Sequence, residues 1–306
     1  MPPKRPDTVQ FDLFVPFITD LPLRDQRETM ERPFFSLSKK KRLKPIDYRS
    51  PDGAVWVRVE AVPSYGMATI WDADVLIWAA SILTGMKERR VNDIPRTLHF
   101  HPYDLLRAIH RNPGGREYEL LRGSLRRLQS TTISTNIRAR SNRRRRQFSW
   151  LDSWTEVTAA DGSNVRGMSL TISDWLYEGI LMDGGVLAIA PEYFGISGGR
   201  ERWLYRVARK HAGGRGDLGF TIPLPTLFEK AGAEGTYRRF KHEIKRIVRR
   251  NDLPEFFLVW EEGKSEGGGD GAEGEPSLRM IRRSALMTPD RSGCEVPKGG
   301  AGGGAA

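Results

Sequence analysis

Cysteine is almost absent from this sequence. The 306 residues contain one, Cys294, in a Gly-rich tail, which excludes an internal disulfide and any zinc site built from several cysteines. Long apolar runs are lacking too. The most apolar segment, Val75–Leu83, is far too short to cross a bilayer, and the start, Met1–Pro6, has no apolar signal core. We therefore predict a cytosolic protein without a membrane partner.

Common catalytic patterns are also missing. No phosphate-binding loop of the Gly-x4-Gly-Lys-Ser/Thr form is present, which argues against ATP hydrolysis, and Gly213–Gly216 follows a predicted helix rather than opening one. Asp72 and Asp74 are near neighbours, but the first is expected to cap a helix and the second to face solvent. We predict no enzymatic activity and no cofactor.

Positive charge, in contrast, is abundant. Lys and Arg number 49 against 38 Asp and Glu, giving a formal net charge of +11, which predicts a polyanionic partner such as nucleic acid. The chain is long enough for two domains, and its eight tryptophans indicate folded cores. Trp71, Trp78, Trp175 and Trp203 lie among apolar residues and are expected to be core rather than base-stacking residues.

The segment after residue 90 has the order of a winged helix, which is a helix-turn-helix followed by a β-hairpin. A strand is predicted at Thr97–His101, a helix at Pro102–His110 and a second helix at Arg116–Gln129. The strands Thr131–Ile137 and Gln147–Thr158 are then expected to pair as a hairpin with an arginine-rich tip.

A second block repeats this order. Helices are predicted at Arg200–His211, Pro223–Ala231 and Thr236–Arg250, followed by strands at Phe256–Trp260 and Leu278–Ile281. Apolar positions of the two blocks correspond at a constant separation of 122 residues around the first helix of each pair and of 119 residues in the second helix.

The repeat predicts an α+β fold with tandem winged-helix domains. We expect a basic N-terminal arm at 1–50, a first winged-helix domain at 51–190, a second at 191–285, and a disordered Gly-rich tail at 286–306.

The outward faces of these units supply the candidate DNA contacts, because Arg and Lys bind phosphates and Arg can read guanine. The more basic second unit is expected to read bases, while the first grips the backbone. A charged helix face is often merely solvated, but two matching helices and a basic hairpin favour DNA. The candidate residues are Arg116, Arg122, Arg126, Arg138, Arg140, Arg143, Arg144, Arg145, Arg146, Thr236, Arg238, Arg239, Lys241, His242, Lys245, Arg246 and Arg249.

A nuclease alternative remains open. His99 and His101 have the His-apolar-His spacing of metal-dependent nicking enzymes, with Tyr103 or Tyr118 as a nucleophile. The second block carries Phe220–Pro223 at this position, which cannot bind a metal, and His101 is explained by a structural role at a helix start.

Three segments resemble the plasmid replication initiator protein A family of proteobacteria: Met30–Lys39, Lys44–Ile46 and Tyr65–Asp72. The resemblance covers roughly Arg24 to Arg283. It implies an initiator with two winged-helix domains that binds repeated double-stranded sites (iterons) in the plasmid origin and helps to melt an adjacent AT-rich segment. It also implies recruitment of the host initiator and replicative helicase.

The same resemblance also bears on the oligomeric state. Dimers are expected to repress the initiator's own gene and monomers to start replication, so a monomer–dimer equilibrium is predicted. A winged-helix transcriptional repressor is the alternative within this class. An RNA-binding role would need aromatic stacking residues on a sheet, and the sequence shows no such motif.

Overall fold

The computed structural model describes residues 22–139, 145–158, 165–216, 218–263 and 274–283, which form both helices and strands. Cys294 and the predicted tail 286–306 lie outside the described residues. The helices are α1 (Ala73–Glu88), α2 (Pro102–Ala108), α3 (Gly115–Ser130), α4 (Asp174–Leu181), α5 (Gly199–His211), α6 (Leu224–Ala231) and α7 (Tyr237–Arg250).

Twelve strands accompany these helices in the described part of the chain, with short 3-10 turns at Arg27–Thr29 and Pro191–Gly195. The strands are β1 (Arg24–Gln26), β2 (Ile46–Arg49), β3 (Trp56–Glu60), β4 (Thr97–Phe100), β5 (Thr132–Thr135), β6 (Arg146–Phe148), β7 (Leu151–Thr158), β8 (Val165–Ile172), β9 (Val186–Ala188), β10 (Phe220–Pro223), β11 (Phe256–Gly263) and β12 (Gly274–Arg282).

Two units share one topology. The first repeat consists of α1, β4, α2, α3, β7 and β8, and the second consists of α5, β10, α6, α7, β11 and β12. Their antiparallel sheets have matching strand orders, β4-β8-β7 and β10-β12-β11. The internal repeat predicted from the spacing of apolar residues is therefore present in the structure.

The cores of the two repeats match position by position. Leu121, Leu125 and Leu128 of α3 are buried, as are their counterparts Phe240, Ile244 and Ile247 of α7. Because these residues recur every three or four positions, they lie on one side of each helix and turn the remaining positions outward.

The first hairpin differs from the prediction. The strand expected over residues 147–158 is divided at Trp150, so that β6 pairs with β5 while β7 pairs with β8. Trp150 is fully buried, and its ring lies 4.8 Å from that of Phe35 and 5.7 Å from that of Phe34. This burial redirects the backbone. The hairpin of the first repeat is therefore β7–β8, whereas the arginine-rich segment connects β5 and β6 of a different sheet, ordered β2-β3-β5-β6.

The prediction that residues 1–50 form an arm is wrong for residues 22–50. Strand β1 pairs with β9, and β2 pairs with β3. Met30 and Phe34 have no exposed surface. Apolar burial of this kind stabilises the fold by roughly 25 cal/mol per Å², so this segment is an integral part of the core.

Helix α5 of the second repeat is largely buried, and its arginines bind carboxylates of β1 and α1. Arg206 donates to both carboxylate oxygens of Asp25 at 2.6 and 3.0 Å. Asp74, which the sequence analysis expected to face solvent, is 0 % exposed and accepts from Arg202 at 2.6 Å and from Arg111 at 3.0 Å. The prediction for Asp74 fails because Arg202 lies 128 residues away in sequence.

A second buried cluster surrounds Glu31. Its carboxylate accepts from Lys210 and His211 at 2.7 Å each and from Lys230 at 2.9 Å. Burial raises the pKa of Glu31, but the hydrogen bond from His211 and the charge of Lys210 outweigh it and hold the pKa well below its usual range. The cluster joins the N-terminal segment to the second repeat.

We expect Glu31→Gln to lower the free energy of unfolding at pH 7, and this difference from the wild type to shrink in acid. Because the folded-state pKa lies below the ordinary value of 4.5, the stabilisation is complete above about pH 4.5 and is lost as the pH falls further. Urea unfolding at pH 7, 5 and 3.5 measures the difference, with the exposed Glu88→Gln as control. A difference that is constant from pH 7 to 3.5 would contradict the argument.

Candidate nucleic-acid interface

Helix α7 has well-defined ends. The Thr236 hydroxyl accepts from the backbone N–H of Arg239 at 3.3 Å, and Asn251 adopts a left-handed conformation with φ of 49° at the C-terminal end. Both are standard helix-ending arrangements. Thr236, a predicted site residue, therefore has a structural function as the N-cap.

The face of α7 opposite the core is basic. At about 100° per residue, Arg238, His242, Lys245, Arg246 and Arg249 fall on one side of the helix, directly opposite Phe240, Ile244 and Ile247. We call these five residues the α7 stripe. Four of them are arginine or lysine, and Arg238, His242, Arg246 and Arg249 are exposed to solvent.

Most of the α7 stripe has no internal counter-charge. Within the described residues, no ion pair is found for Arg238, Lys241, His242, Arg246 or Arg249. Lys245 is the exception. Its ammonium lies 3.3 Å from Glu262 and 4.6 Å from the centre of the Trp260 ring, which hold it against the β11 strand. Trp260 and Glu262 are not predictable as partners of Lys245, because no local sequence pattern links them to a helix residue 17 positions earlier.

Arg239, the remaining predicted residue of α7, is tied to its own helix. Its Nε donates to Glu243 at 3.0 Å, one helical turn along. The Arg239 side chain is 74 % exposed. Glu243 also pairs with Arg200 at 2.7 Å, and an i,i+4 helix pair contributes only about 0.3–0.5 kcal/mol, so a phosphate can displace Arg239 without leaving Glu243 unpaired.

The corresponding face of α3 is different. Positions 119 residues before the α7 stripe carry Glu119, Gly123, Arg126, Arg127 and Ser130. Arg127 donates to both oxygens of Asp72 at 2.7 and 2.8 Å. Of this face, Arg126 is the cation that remains exposed without an ion pair in the described structure.

Asp72 occupies the N-cap position of α1, as the sequence suggested, but it does not cap the helix through its side chain. Its side chain makes no capping hydrogen bond to α1, and instead accepts from the backbone N–H of Thr69 at 2.7 Å and from the Arg127 guanidinium. The carboxylate therefore connects α3 to the turn before α1.

Arg122, predicted to contact DNA, is bound to carboxylates. Its Nε and Nη2 each donate to Glu156 of β7 at 2.7 Å, and Nη1 donates to Glu119. The hydrogen bonds to Glu156 raise the pKa of the guanidinium above its usual range. Arg122 joins α3 to the β7–β8 hairpin, whereas Arg116 on the same helix is exposed and without an ion pair in the described part.

We expect Arg122→Ala and Glu156→Ala to lower the free energy of unfolding by similar amounts, about 1–3 kcal/mol, because each removes the two hydrogen bonds between Arg122 and Glu156, and the further bond of Arg122 goes to the exposed Glu119. Neither should weaken DNA binding more than threefold. Paired urea melts and DNA titrations distinguish the two roles. A loss of DNA affinity in Arg122→Ala together with a gain in Glu156→Ala would show that Arg122 contacts phosphate.

The arginine-rich segment between β5 and β6 is anchored at both ends on α4. Arg138 is largely buried, donates to Glu28 at 2.7 Å and to the Trp175 carbonyl at 2.6 Å, and lies 4.0 Å from the centre of the Trp175 ring. Arg146 donates to Glu178 at 2.6 Å. Burial lowers the pKa of Arg138, although Glu28 opposes this effect. Arg138 is therefore a structural residue rather than a free DNA contact.

Of the other predicted arginines of this segment, only Arg145 lies among the described residues. Arg145 is exposed, and its guanidinium lies 5.4 Å from the centre of the Trp56 ring. Arg140, Arg143 and Arg144 lie outside the described residues.

The two histidines of the nuclease alternative lie on different elements, His99 on β4 and His101 at the start of α2. His101 caps α2, its Nδ1 accepting from the backbone N–H of Tyr103 at 3.2 Å, as its position before Pro102 indicated. His99 lies on β4 opposite Ser169. The described residues contain no group of three or more His, Cys, Asp or Glu side chains placed to hold a metal ion. Across the same residues, none of the helices is both long and apolar enough to span a bilayer.

Comparison with known proteins identifies a family, a relative and similar solved structures. The family described as Replication initiator protein A matches residues 24–258. A replication protein, by its name, of Wigglesworthia glossinidia brevipalpis is 33% identical over 236 residues, covering 76% of this chain and 83% of that protein. A crystal structure of domain 2 and domain 3 of RctB is 14% identical, with a TM-score of 0.55 over 82% of this chain and 96% of that one. A second structure of RctB domains 2-3 has a TM-score of 0.49 at 15% identity.

Proposed function

Since this chain belongs to the replication initiator protein A family, we propose that it initiates plasmid replication by binding repeated double-stranded sites in the plasmid origin. Its two repeats act as winged-helix domains, in which α3 and α7 are the second helices of helix-turn-helix pairs and β7–β8 and β11–β12 are the hairpins. We propose domain boundaries at 51–190 and 191–285, and residues 22–50 are part of the folded core rather than a separate arm.

One observation carries the DNA-binding part of the proposal, namely the α7 stripe. A winged helix inserts its second helix into the major groove, where Arg can bind guanine and Lys can bind phosphate. The α7 stripe offers that helix face with three exposed arginines and no ion pairs to them among the described residues. The guanidinium groups are thus free to exchange water for phosphate and base edges.

The first repeat contributes less to base reading in this proposal. Its α3 face offers Arg116 and Arg126, because Arg122 and Arg127 are bound to Glu156 and Asp72. We assign these two exposed arginines to backbone contacts. Binding is followed by opening of the origin and by recruitment of the host initiator and helicase, without an enzymatic step by this chain. Monomers carry out initiation, and dimers repress transcription.

A titration on the plasmid's own origin repeats tests the DNA-binding part. The purified chain is added to a labelled duplex of one repeat and to a scrambled duplex of equal length, from 50 to 300 mM salt. We expect specific binding to remain at least 100-fold tighter than non-specific binding at 150 mM salt, since specific sites usually exceed random duplex by 10³–10⁷-fold. Equal affinity for both duplexes would refute the proposal.

Initiation itself needs a separate test. A minimal replicon is built with the gene intact or deleted, and plasmid survival is counted after transformation. Loss of the plasmid on deletion, with rescue by the gene in trans, supports initiation. Survival of the deletion would leave a winged-helix repressor as the better description.

A further inference from the structure

The four-stranded sheet β2-β3-β5-β6 buries one face in the core, while its other face carries the exposed side chains Asp47, Arg49, Arg58 and Gln147. Ile46 and Tyr48 of β2, Val57 and Val59 of β3 and Ile133 of β5 all point into the core. Side chains alternate along a strand, so the intervening positions of β2 and β3 point outward. This outer face has not been used by the proposed duplex contacts, except for Arg145 at its border.

The outer face carries a tryptophan among arginines. Trp56 is half-buried and lies directly opposite Arg49 in the β2–β3 register. Cross-strand partners have Cβ atoms about 4.5–5.5 Å apart. Arg58 follows two residues along the same strand, about 7 Å away, and Arg145 approaches Trp56 from the other side at 5.4 Å. One indole is therefore flanked by cations on both neighbouring sides.

The indole is half-buried, and the Arg145 guanidinium lies over its ring at 5.4 Å from the ring centre, within the range of a cation–π contact. Because such a contact contributes only about 0.5–1 kcal/mol at an exposed site, an unpaired base can displace Arg145 from the ring. Two carboxylates share the face, Asp47 opposite Arg58 and Glu60 at 2.9 Å from Arg58. The Arg58–Glu60 pair is about half exposed on both sides, and such pairs contribute little.

These residues suit a single nucleic-acid strand rather than a duplex. A tryptophan face can stack on an unpaired base, whereas the base faces of a duplex are already stacked and covered. Aromatic stacking on a base contributes about 1–3 kcal/mol and depends little on sequence. Arginines at the flanks match the phosphates on either side of the stacked base. A flat sheet face also does not enter a duplex groove as a helix does.

We infer that the outer face of the β2-β3-β5-β6 sheet, centred on Trp56 with Arg49 and Arg58, binds single-stranded DNA. This inference rests on the proposed function, because opening of the origin would produce such a strand beside the bound repeats. The α7 stripe holds the duplex, and Trp56 lies on β3, a strand that belongs to neither repeat. The ligand is recognised through unpaired bases and phosphates, with no base-edge reading.

The test compares two ligands on one protein. Trp56→Ala and Arg49→Ala are titrated against a labelled 20-nucleotide oligo-dT and against the specific duplex repeat, with an oligo-rU arm to distinguish DNA from RNA. We expect Trp56→Ala to weaken oligo-dT binding about 5- to 100-fold, Arg49→Ala to weaken it about 3- to 10-fold, and both to bind the duplex within twofold of wild type. Trp56→Phe should retain most of the oligo-dT affinity because a ring remains.

The exposed Tyr65→Ala is the matched control, since it removes an aromatic ring from the turn that follows β3 rather than from a strand of the sheet. Wild-type levels of oligo-dT binding by Trp56→Ala, or losses as large in Tyr65→Ala, would overturn the inference. Tighter binding of oligo-rU than of oligo-dT would overturn its assignment to DNA. Failure of the duplex titration with intact oligo-dT binding would instead refute the proposed function and leave this site standing.

Discussion

The variant Arg238→Ala/Arg246→Ala/Arg249→Ala is expected to bind the specific duplex at least about 100-fold more weakly than wild type. Each arginine that contacts a base contributes about 1–3 kcal/mol, and 1.4 kcal/mol corresponds to a factor of ten. The three side chains are exposed and have no ion pairs in the described structure, so their removal should leave the fold intact. Fluorescence anisotropy at 150 mM salt gives the affinity, and thermal melting checks the fold.

The salt dependence separates base contacts from phosphate contacts in this variant. Loss of one phosphate contact lowers the slope of log K against log salt by about 1, whereas loss of a base contact leaves it nearly unchanged. The comparison variant is Arg116→Ala/Arg126→Ala on α3, for which we expect less than a tenfold loss and a smaller slope. If this α3 variant loses more specific affinity than the α7 variant, the assignment of base reading to the second repeat is wrong.

Asp74→Ala is expected to lower the free energy of unfolding by about 3–5 kcal/mol, the cost of leaving a buried charge uncompensated. Its carboxylate is completely buried and is bound by two arginines, Arg202 at 2.6 Å and Arg111 at 3.0 Å. Without it, Arg202 keeps only its hydrogen bonds to the carbonyls of Ile196 and Phe194, and Arg111 only its hydrogen bond to the carbonyl of Trp71, so neither positive charge has a carboxylate partner among the described residues. Urea unfolding of the full chain at pH 7 measures the loss.

Two other variants serve as controls for Asp74→Ala. Glu88→Ala removes the exposed partner of Arg24 and should cost less than about 1 kcal/mol. Asp74→Asn keeps the volume and one acceptor oxygen, and should fall between the two if Asp74→Ala is too unstable to purify. Equal losses in Asp74→Asn and Glu88→Ala would mean that the buried pair contributes nothing beyond a surface pair.

Periodicity predicted the repeated cores well, and the reason is physical. Residues such as Leu125 and Ile244 recur at helical spacing because each helix must bury one face, and this pattern is local in sequence. The same argument placed the α7 stripe, since the outward face is whatever the core leaves over. The length and type of each helix in the two repeats follow from the same local signals.

The partners of charged residues could not be predicted in the same way. Arg122 looked free on α3 because Glu156 lies 34 residues later on another element. Asp74 looked solvated because Arg202 arrives from α5, 128 residues away. A helix wheel shows the neighbours within one helix and contains no information about an arginine that tertiary packing brings to it.

The helices were easier to predict than the route of the chain between β5 and β7. Both strands have β-branched or apolar residues, and their composition is consistent with one long hairpin. The decisive residue is Trp150, whose burial against Phe34 and Phe35 depends on a segment more than 100 residues earlier. The N-terminal segment, which looked like an arm, is the part that fixes this turn.

The junction around α5 fixes the angle between the two repeats. Asp25 and Asp74 tie α5 to the strand and helix that precede the first repeat's sheet, so neither repeat can swivel without unpairing buried arginines. A duplex winds through a full circle about every 10.5 base pairs. In the proposed binding mode, two repeats held in this way would contact the duplex at a fixed separation and a fixed rotation about its axis. Inserting about five base pairs in the middle of one DNA site would rotate one half of that site to the opposite side of the duplex. Base substitutions at the same place would leave both halves on the same side.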